Sequence, residues 1–166
     1  ELGFGSSWFY DTQLLNPDIF ICMALAAEKT SRIRLGTGVL IPSNRIEPVT
    51  ANALATLNRI APGRVDFGVG TGFTARRTMG LKAIPLRTMK RYIERVQELL
   101  RGNLIEWDFE SENRKISFLN PEYGLINLED PIDLHISAMG PKSRRLVAEV
   151  GAGWLNFGSD LESLIR

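Results

Sequence analysis

The sequence predicts an α/β fold built on a parallel sheet, because strand and helix patterns alternate along its 166 residues. The clearest unit has two apolar strands, residues 33–41 and 64–70, which flank a predicted helix over residues 49–61. Both strands end in a Gly-Thr-Gly turn, at residues 36–38 and 70–72. The strands of a β-α-β unit are parallel, so both turns lie at one edge of the sheet, where α/β proteins bind ligands. The pattern fits both an opened barrel and a doubly wound sheet.

The first half of the chain also carries an earlier strand and helix. Residues 2–10 are typical of a glycine-interrupted strand, and residues 19–29 predict an alanine-rich helix that Asn16 caps and Pro17 starts. Pro48 suits the first turn of the next helix. Apolar residues recur three to four positions apart along that helix and predict one buried face: Val49, Ala53, Leu57, Ile60 and Ala61.

After the second glycine turn, residues 73–84 are predicted to form a loop that carries Arg76, Arg77 and Lys82. Residues 85–101 predict a helix with a strongly periodic apolar stripe. The stripe consists of Leu86, Met89, Ile93, Val96 and Leu100. Residues 103–131 fit neither the helical nor the strand period, so we expect an insertion with a short β-hairpin.

The last part of the chain returns to alternation. It predicts a strand at residues 132–138, a helix at 142–151, a further strand at 154–157 and the opening of a helix at 160–166. The count is about five β-α units within one partial domain, residues 1–166.

Composition excludes several function classes. The net charge is +1 and no run reaches the roughly 18 apolar residues that a membrane span needs, so we expect neither a nucleic-acid nor a membrane partner. One cysteine, Cys22, and one histidine, His135, leave no basis for a metal site or a Ser-His-Asp triad. A single cysteine fits a reducing compartment, and we expect the cytoplasm. Such sparse acid–base chemistry is typical of an enzyme whose cofactor carries the reaction.

The glycine turns have two readings that the residues leave open. Glycine lets a flat ligand or a phosphate approach the backbone, and threonine adds a hydroxyl beside exposed N–H groups. The same turns could simply connect strands to helices.

Several motifs in consistent order resemble the luciferase-like monooxygenase superfamily. They are Gly36-Thr37-Gly38-Val39, Pro42, Arg45, Pro48, Gly63-Arg64, Gly68-Val69-Gly70-Thr71-Gly72, and the segments 87–102 and 136–154. The resemblance implies a parallel (β/α)8 TIM barrel that binds FMN or coenzyme F420, and an insertion at residues 103–131 that covers the active site. A complete barrel takes about 250 residues, so we expect an incomplete barrel, a fragment of a longer parent.

The resemblance also implies roles for individual residues. Asp11 matches an acidic position near the deazaflavin ring, although a strand-end cap is equally compatible, and Thr12 follows where the family often has histidine. Thr37, Gly38 and Val39 match the strand end that backs the ring through a backbone bulge, and Thr71 and Gly72 match a second ring or ribityl contact. Amides of the turn Ala138, Met139, Gly140 and Pro141 match the site of the cofactor phosphate.

Two further positions bear on the reaction. Phe73 stands where the sugar-phosphate dehydrogenases of this family have a catalytic glutamate, which argues against their reaction. His135 precedes the phosphate turn and is a candidate catalytic residue, with a barrel-lining role as the alternative. We therefore expect a flavin- or deazaflavin-dependent oxidoreductase that transfers hydride to, or oxygenates, a small organic substrate. The alternatives are a non-catalytic flavin-binding barrel and an inactive fragment, and we expect the full-length parent to be a homo-oligomer.

Overall fold

The computed structural model describes residues 3–156. Its strands are β1 (Ser6–Phe9), β2 (Arg34–Thr37), β3 (Val65–Val69), β4 (Ile105–Phe109), β5 (Glu112–Ile116), β6 (Asp133–Ser137) and β7 (Gly153–Leu155). Its α-helices are α1 (Ile19–Lys29), α2 (Glu47–Ile60), α3 (Phe73–Arg77), α4 (Leu86–Leu100) and α5 (Pro141–Glu149). The helix expected at residues 160–166 and the end of the strand expected at 154–157 lie outside the described residues.

Five strands form one parallel sheet in the order β1-β2-β3-β6-β7. Each strand is added beside the previous strand of the sheet, and the order never reverses. A doubly wound sheet needs a reversal, whereas a (β/α)8 barrel adds its strands in sequence. The predicted incomplete barrel of about five units is therefore confirmed, and β4 and β5 form the predicted separate antiparallel hairpin.

The hydrophobic core lies between one face of this sheet and helices α1, α2, α4 and α5. Buried residues of β3, such as Phe67 and Val69, meet the stripe of α4, where Met89, Ile93 and Val96 are buried as predicted. Tyr92 and Leu99 join that stripe, while Leu86 and Leu100 are only partly buried.

The buried face of α2 differs from the predicted one. Val49 and Ile60 are exposed, and Thr50 and Asn58 are fully buried instead. The Thr50 hydroxyl is 2.5 Å from the Tyr92 hydroxyl, and the Asn58 amide donates to the carbonyls of Asn127 and Asp130. Polar residues occupy this face because distant partners satisfy their hydrogen bonds.

Three other local predictions are corrected. Asp18, not Asn16, caps α1, since its carboxylate accepts the backbone N–H groups of Phe20 and Ile21. The segment predicted as a loop begins with the short helix α3. The resemblance implies that the insertion covers the active site, but its hairpin packs on α2 and α4, on the outside of the sheet. There Trp107 Nε1 donates to Glu47 at 3.0 Å.

Charged side chains join the amino-terminal ends of the strands. Arg34 of β2 makes a bidentate contact with Asp66 of β3, and its Nη2 lies 3.0 Å from Asp133 of β6.

The described helices include none with the length and apolar character that a membrane crossing requires.

Candidate active site

A groove of about 1070 Å³ opens at the carboxyl ends of the parallel strands. Loops that follow β1, β2, β3 and β6 line it. Its volume slightly exceeds the range of about 300–1,000 Å³ that ligand pockets usually have. Large apolar side chains dominate its walls, including Leu15, Val39, Ile41, Phe73 and Leu86. The groove therefore suits a large ligand with an extensive apolar surface.

The end of β2 bulges where it borders the groove. Regular pairing with β3 stops at Gly36 and resumes in a bridge between Leu40 and Val69. The Thr37 hydroxyl fills the gap, since it donates to the Gly68 carbonyl at 2.6 Å and accepts the Gly68 N–H at 2.9 Å. The peptide bond between Gly38 and Val39 is cis. The bulge turns Gly38 and Val39 toward the groove and keeps Thr37 buried.

The turn after β3 forms the next wall. Gly72 has a φ of +79° and serves as the N-cap of α3. A Cβ atom there would come within 2.7 Å of the Ile41 side chain, so only glycine fits. Thr71 and Gly72 both line the groove. Phe73 follows immediately, and the tight turn places its ring at the rim.

The amino terminus of α5 follows β6 and borders the groove next to the turn after β3. Gly140 is its N-cap, and Pro141 occupies the first helical position. The Ser143 hydroxyl donates to the Gly140 carbonyl at 2.8 Å and accepts the Gly140 N–H at 3.2 Å. First-turn N–H groups of a helix have no acceptor within the helix, and here they lie beside the Lys142 side chain at the groove. This combination favours an anion such as a phosphate.

Asp11 lies in the groove wall at the end of β1 and is 7% exposed. Its Oδ2 accepts the Ile41 N–H at 3.1 Å and the Asn44 amide at 3.2 Å. Its Oδ1 is 3.0 Å from Nη1 of Arg45, whose Nη2 is 2.5 Å from Asp18. The carboxylate therefore ties the loop after β2 to the end of β1.

The comparisons with known proteins agree with this geometry. The sequence profile of luciferase-like monooxygenases matches residues 1–164. The chain belongs to the luciferase-like monooxygenase family.

Two curated relatives and one solved structure of this family show what the chain is similar to. It is 31% identical over 160 residues to 5,10-methylenetetrahydromethanopterin reductase from Archaeoglobus fulgidus, covering 93% of the chain and 45% of that protein. It is 34% identical over 157 residues to the F420-dependent glucose-6-phosphate dehydrogenase of Kineococcus radiotolerans, covering 89% of the chain and 45% of that protein. The chain thus spans about half the length of the curated relatives it matches.

The solved structure is the oxygenating constituent of 3,6-diketocamphane monooxygenase from Pseudomonas putida, in complex with FMN. Its TM-score is 0.78 at 15% identity, covering 98% of this chain and 50% of that one. At that identity the likeness establishes the fold alone. It supports the assignment of the five parallel units to a partial (β/α)8 barrel.

Most of the predicted site residues gather at the groove. Its lining includes Asp11, Gly38, Val39, Thr71, Gly72, Met139, Gly140 and Pro141. Thr37 and Ala138 lie outside the lining because their side chains point into the packed interior, where both residues are fully buried. Both residues stabilise the structure beside the groove. The Thr37 hydroxyl joins β2 to β3 at the bulge. The Ala138 carbonyl accepts a hydrogen bond from Trp154 Nε1 at 2.7 Å, before α5 begins.

His135 lies away from the groove, on the sheet face opposite the helices. Its ring meets the Trp8 ring edge-on with centroids 5.0 Å apart, and a Cβ on Gly153 would collide with it. This is the environment of the barrel-lining alternative. His135 is not among the residues that line the groove.

Sequence reasoning missed groove residues whose signal is weak. Tyr10 and Leu15 line the groove, yet exposed apolar residues in loops have no periodic pattern. Lys142 could have been found from its place directly after the Gly-Pro turn, because a cation at a helix amino terminus is unfavourable unless an anion binds there.

Proposed function

We propose that the full protein is an oxidoreductase that binds a reduced flavin or deazaflavin in this groove and reduces or oxygenates a small organic substrate. The observation that carries the proposal is that one groove is lined both by a helix terminus suited to phosphate and by two glycine-containing strand ends. When bound, such a cofactor supplies hydride from the centre of its ring system, or activates oxygen if it is FMN.

The residues present fit such a cofactor. First-turn amides of α5 and Lys142 would hold the phosphate. Apart from its two neighbours in the chain, no residue between 3 and 156 has a heavy atom within 4 Å of the Cβ position of Gly140, so these residues leave the approach to the terminus open. Gly38, Val39, Thr71 and Gly72 would back the ring system, because glycine allows a flat ligand to contact the backbone. Asp11 would hold the loop that carries Ile41, one of the apolar residues that exclude water from the ring.

We favour coenzyme F420 over FMN. The Kineococcus radiotolerans relative is named for F420 dependence and is 34% identical, whereas the FMN complex shares only 15% identity. We also propose that the protein works in the cytoplasm and forms a homo-oligomer. Ile21 and Leu25, one helical turn apart on the outer face of α1, expose apolar surface that a second copy could cover.

Equilibrium titration tests the cofactor proposal. FMN and F420 are titrated separately against this chain and its full-length parent, with cofactor fluorescence as the signal. We expect F420 to bind more tightly and Lys142→Ala to weaken binding about fivefold at low salt, as expected for one exposed ion pair. Lys115→Ala, an exposed lysine on β5 outside the groove, is the matched control. If neither cofactor binds the full-length protein, the proposal is wrong.

A non-catalytic flavin-binding barrel is the second candidate. Within residues 3–156, Asp11 is the only carboxylate that lines the groove, and both of its oxygens already accept hydrogen bonds. The described part of the groove thus offers no uncommitted carboxylate. Stoichiometric cofactor binding without turnover of any alcohol, aldehyde or ketone by the full-length protein would favour this candidate.

A further inference from the structure

We propose that the substrate of this groove is an uncharged, planar, apolar molecule, and that Phe73 is the residue that selects it. This inference rests on the proposed function, because it assigns the cofactor to the α5 side of the groove and the substrate to the side of β1 and α3. The groove volume of about 1070 Å³ exceeds that of most single-ligand pockets.

The rim supports an apolar substrate. Exposed large apolar side chains from two separate loops line the substrate side: Tyr10 and Leu15 after β1, and Phe73 after β3. The Phe73 ring is 63% exposed although it lines a cavity. Burial of such rings against a ligand is favourable in proportion to the apolar area that leaves water.

Phe73 is held in place for such a contact. It is the first residue of α3, directly after the constrained Gly72, so its backbone position is fixed. The Arg77 guanidinium, one helical turn further on, lies 4.0 Å from the centroid of the ring. This cation–π contact orients the ring while Arg77 itself stays outside the groove lining. The remaining surface of Phe73 is then available to a flat ligand, and aromatic rings prefer offset or edge-on partners.

The charges of the groove favour an uncharged substrate. Among the described lining residues only Asp11 and Lys142 are charged. Asp11 is saturated by Ile41, Asn44 and Arg45, and Lys142 lies at the α5 terminus. The nearest cation on the Phe73 side is Arg77, which packs on the Phe73 ring and lies outside the groove lining. A phosphorylated sugar would therefore lose its hydration inside the groove without meeting a cation of the lining, which is unfavourable. A flat apolar molecule avoids that desolvation.

Binding of 2-naphthol tests the proposal, with its own fluorescence as the signal. The chain and its full-length parent are first saturated with whichever of FMN or F420 binds more tightly and then titrated. Decahydro-2-naphthol, measured by competition, has the same skeleton without planarity, and glucose 6-phosphate is the charged comparison. Phe73→Leu removes the aromatic ring and keeps an apolar side chain, while Phe73→Glu adds a charge. Tyr123→Ala, an exposed aromatic residue outside the groove, is the control.

We expect 2-naphthol to bind the cofactor-loaded protein, with Phe73→Leu weakening it about fivefold and Phe73→Glu more, and Tyr123→Ala leaving it unchanged. Thermal melting confirms that the variants fold. The inference fails if the cofactor excludes 2-naphthol, if Phe73→Leu binds it as the wild type does, or if decahydro-2-naphthol or glucose 6-phosphate binds equally well. The proposed function fails separately, through absence of cofactor binding. In that case a loss of 2-naphthol binding in the cofactor-free Phe73 variants would still support the role of Phe73.

Discussion

Replacing Asp11 by asparagine should destabilise the chain by about 3 kcal/mol, because the buried carboxylate serves three donors at once. The amide has one oxygen for the N–H of Ile41 and the side chains of Asn44 and Arg45. Its NH2 group would face a donor where Oδ1 now accepts from Arg45. A charge-assisted bond of about 1.5–3 kcal/mol is lost, and at least one buried donor is left without an acceptor.

The matched control is Asp18→Asn. Asp18 contacts the same Arg45, but its side chain is largely exposed, and asparagine remains a good helix N-cap. We expect this variant to cost less than about 1 kcal/mol. Urea denaturation followed by circular dichroism measures both free energies of unfolding.

Cofactor affinity separates a positioning role of Asp11 from a catalytic one. If Asp11 holds the loop after β2, Asp11→Asn lowers stability and the affinity for F420 or FMN together. If Asp11 reacts with the cofactor or substrate, the variant keeps stability and affinity and loses only turnover in the full-length protein. A cost below about 0.5 kcal/mol, equal to that of Asp18→Asn, would refute the reasoning from its hydrogen bonds.

Two further predictions concern the scaffold. Asp66→Asn should lower the free energy of unfolding by about 3 kcal/mol, because Asp66 is 2% exposed and pairs with Arg34 through both oxygens. Asp133→Asn removes the exposed partner of the same arginine and should cost less than about 0.5 kcal/mol. Equal costs of the two variants in urea denaturation would contradict this prediction. Burial raises the pKa of the Tyr92 phenol above its usual value of about 10. The unfolded chain then releases a proton that the folded chain keeps, so Tyr92 stabilises the fold below about pH 10 and this contribution falls as the pH rises further. In Tyr92→Phe, the free energy of unfolding should therefore decline less steeply as the pH rises. Urea denaturation between about pH 8 and 11 measures this slope, and an unchanged slope would exclude Tyr92 as the source of the decline.

Much of the architecture followed from local sequence. Alternating strand and helix patterns, the glycine turns and the stripe of α4 predicted five parallel strands and a groove at their carboxyl ends. These features depend on residues a few positions apart, whose period and turn chemistry are visible in the chain itself. The two Gly-Thr-Gly turns contribute Gly38, Gly70, Thr71 and Gly72 to the groove lining.

Contacts between distant residues were decided only by the tertiary structure. Thr50 and Asn58 are buried because Tyr92 and the carbonyls of Asn127 and Asp130 satisfy their hydrogen bonds. The buried face of α2 therefore includes these two residues and leaves Val49 and Ile60 exposed. The hairpin within the insertion at residues 103–131 packs on the outer helices, where Trp107 contacts Glu47. None of residues 103–131 lines the groove, so the insertion does not cover it as the resemblance implied.

The sequence by itself determined the order of the elements, the family and the edge of the sheet where a ligand would bind. The tertiary structure decided that hydrogen bonds occupy both oxygens of the Asp11 carboxylate. It also decided that His135 packs against Trp8 outside the groove and that Phe73 lies at the groove rim. The physical reason is that periodicity and turn residues act within one element. The partner of a buried polar group depends on chain segments that meet only when the sheet forms, as Asp11 and Arg45 do across 34 positions of sequence.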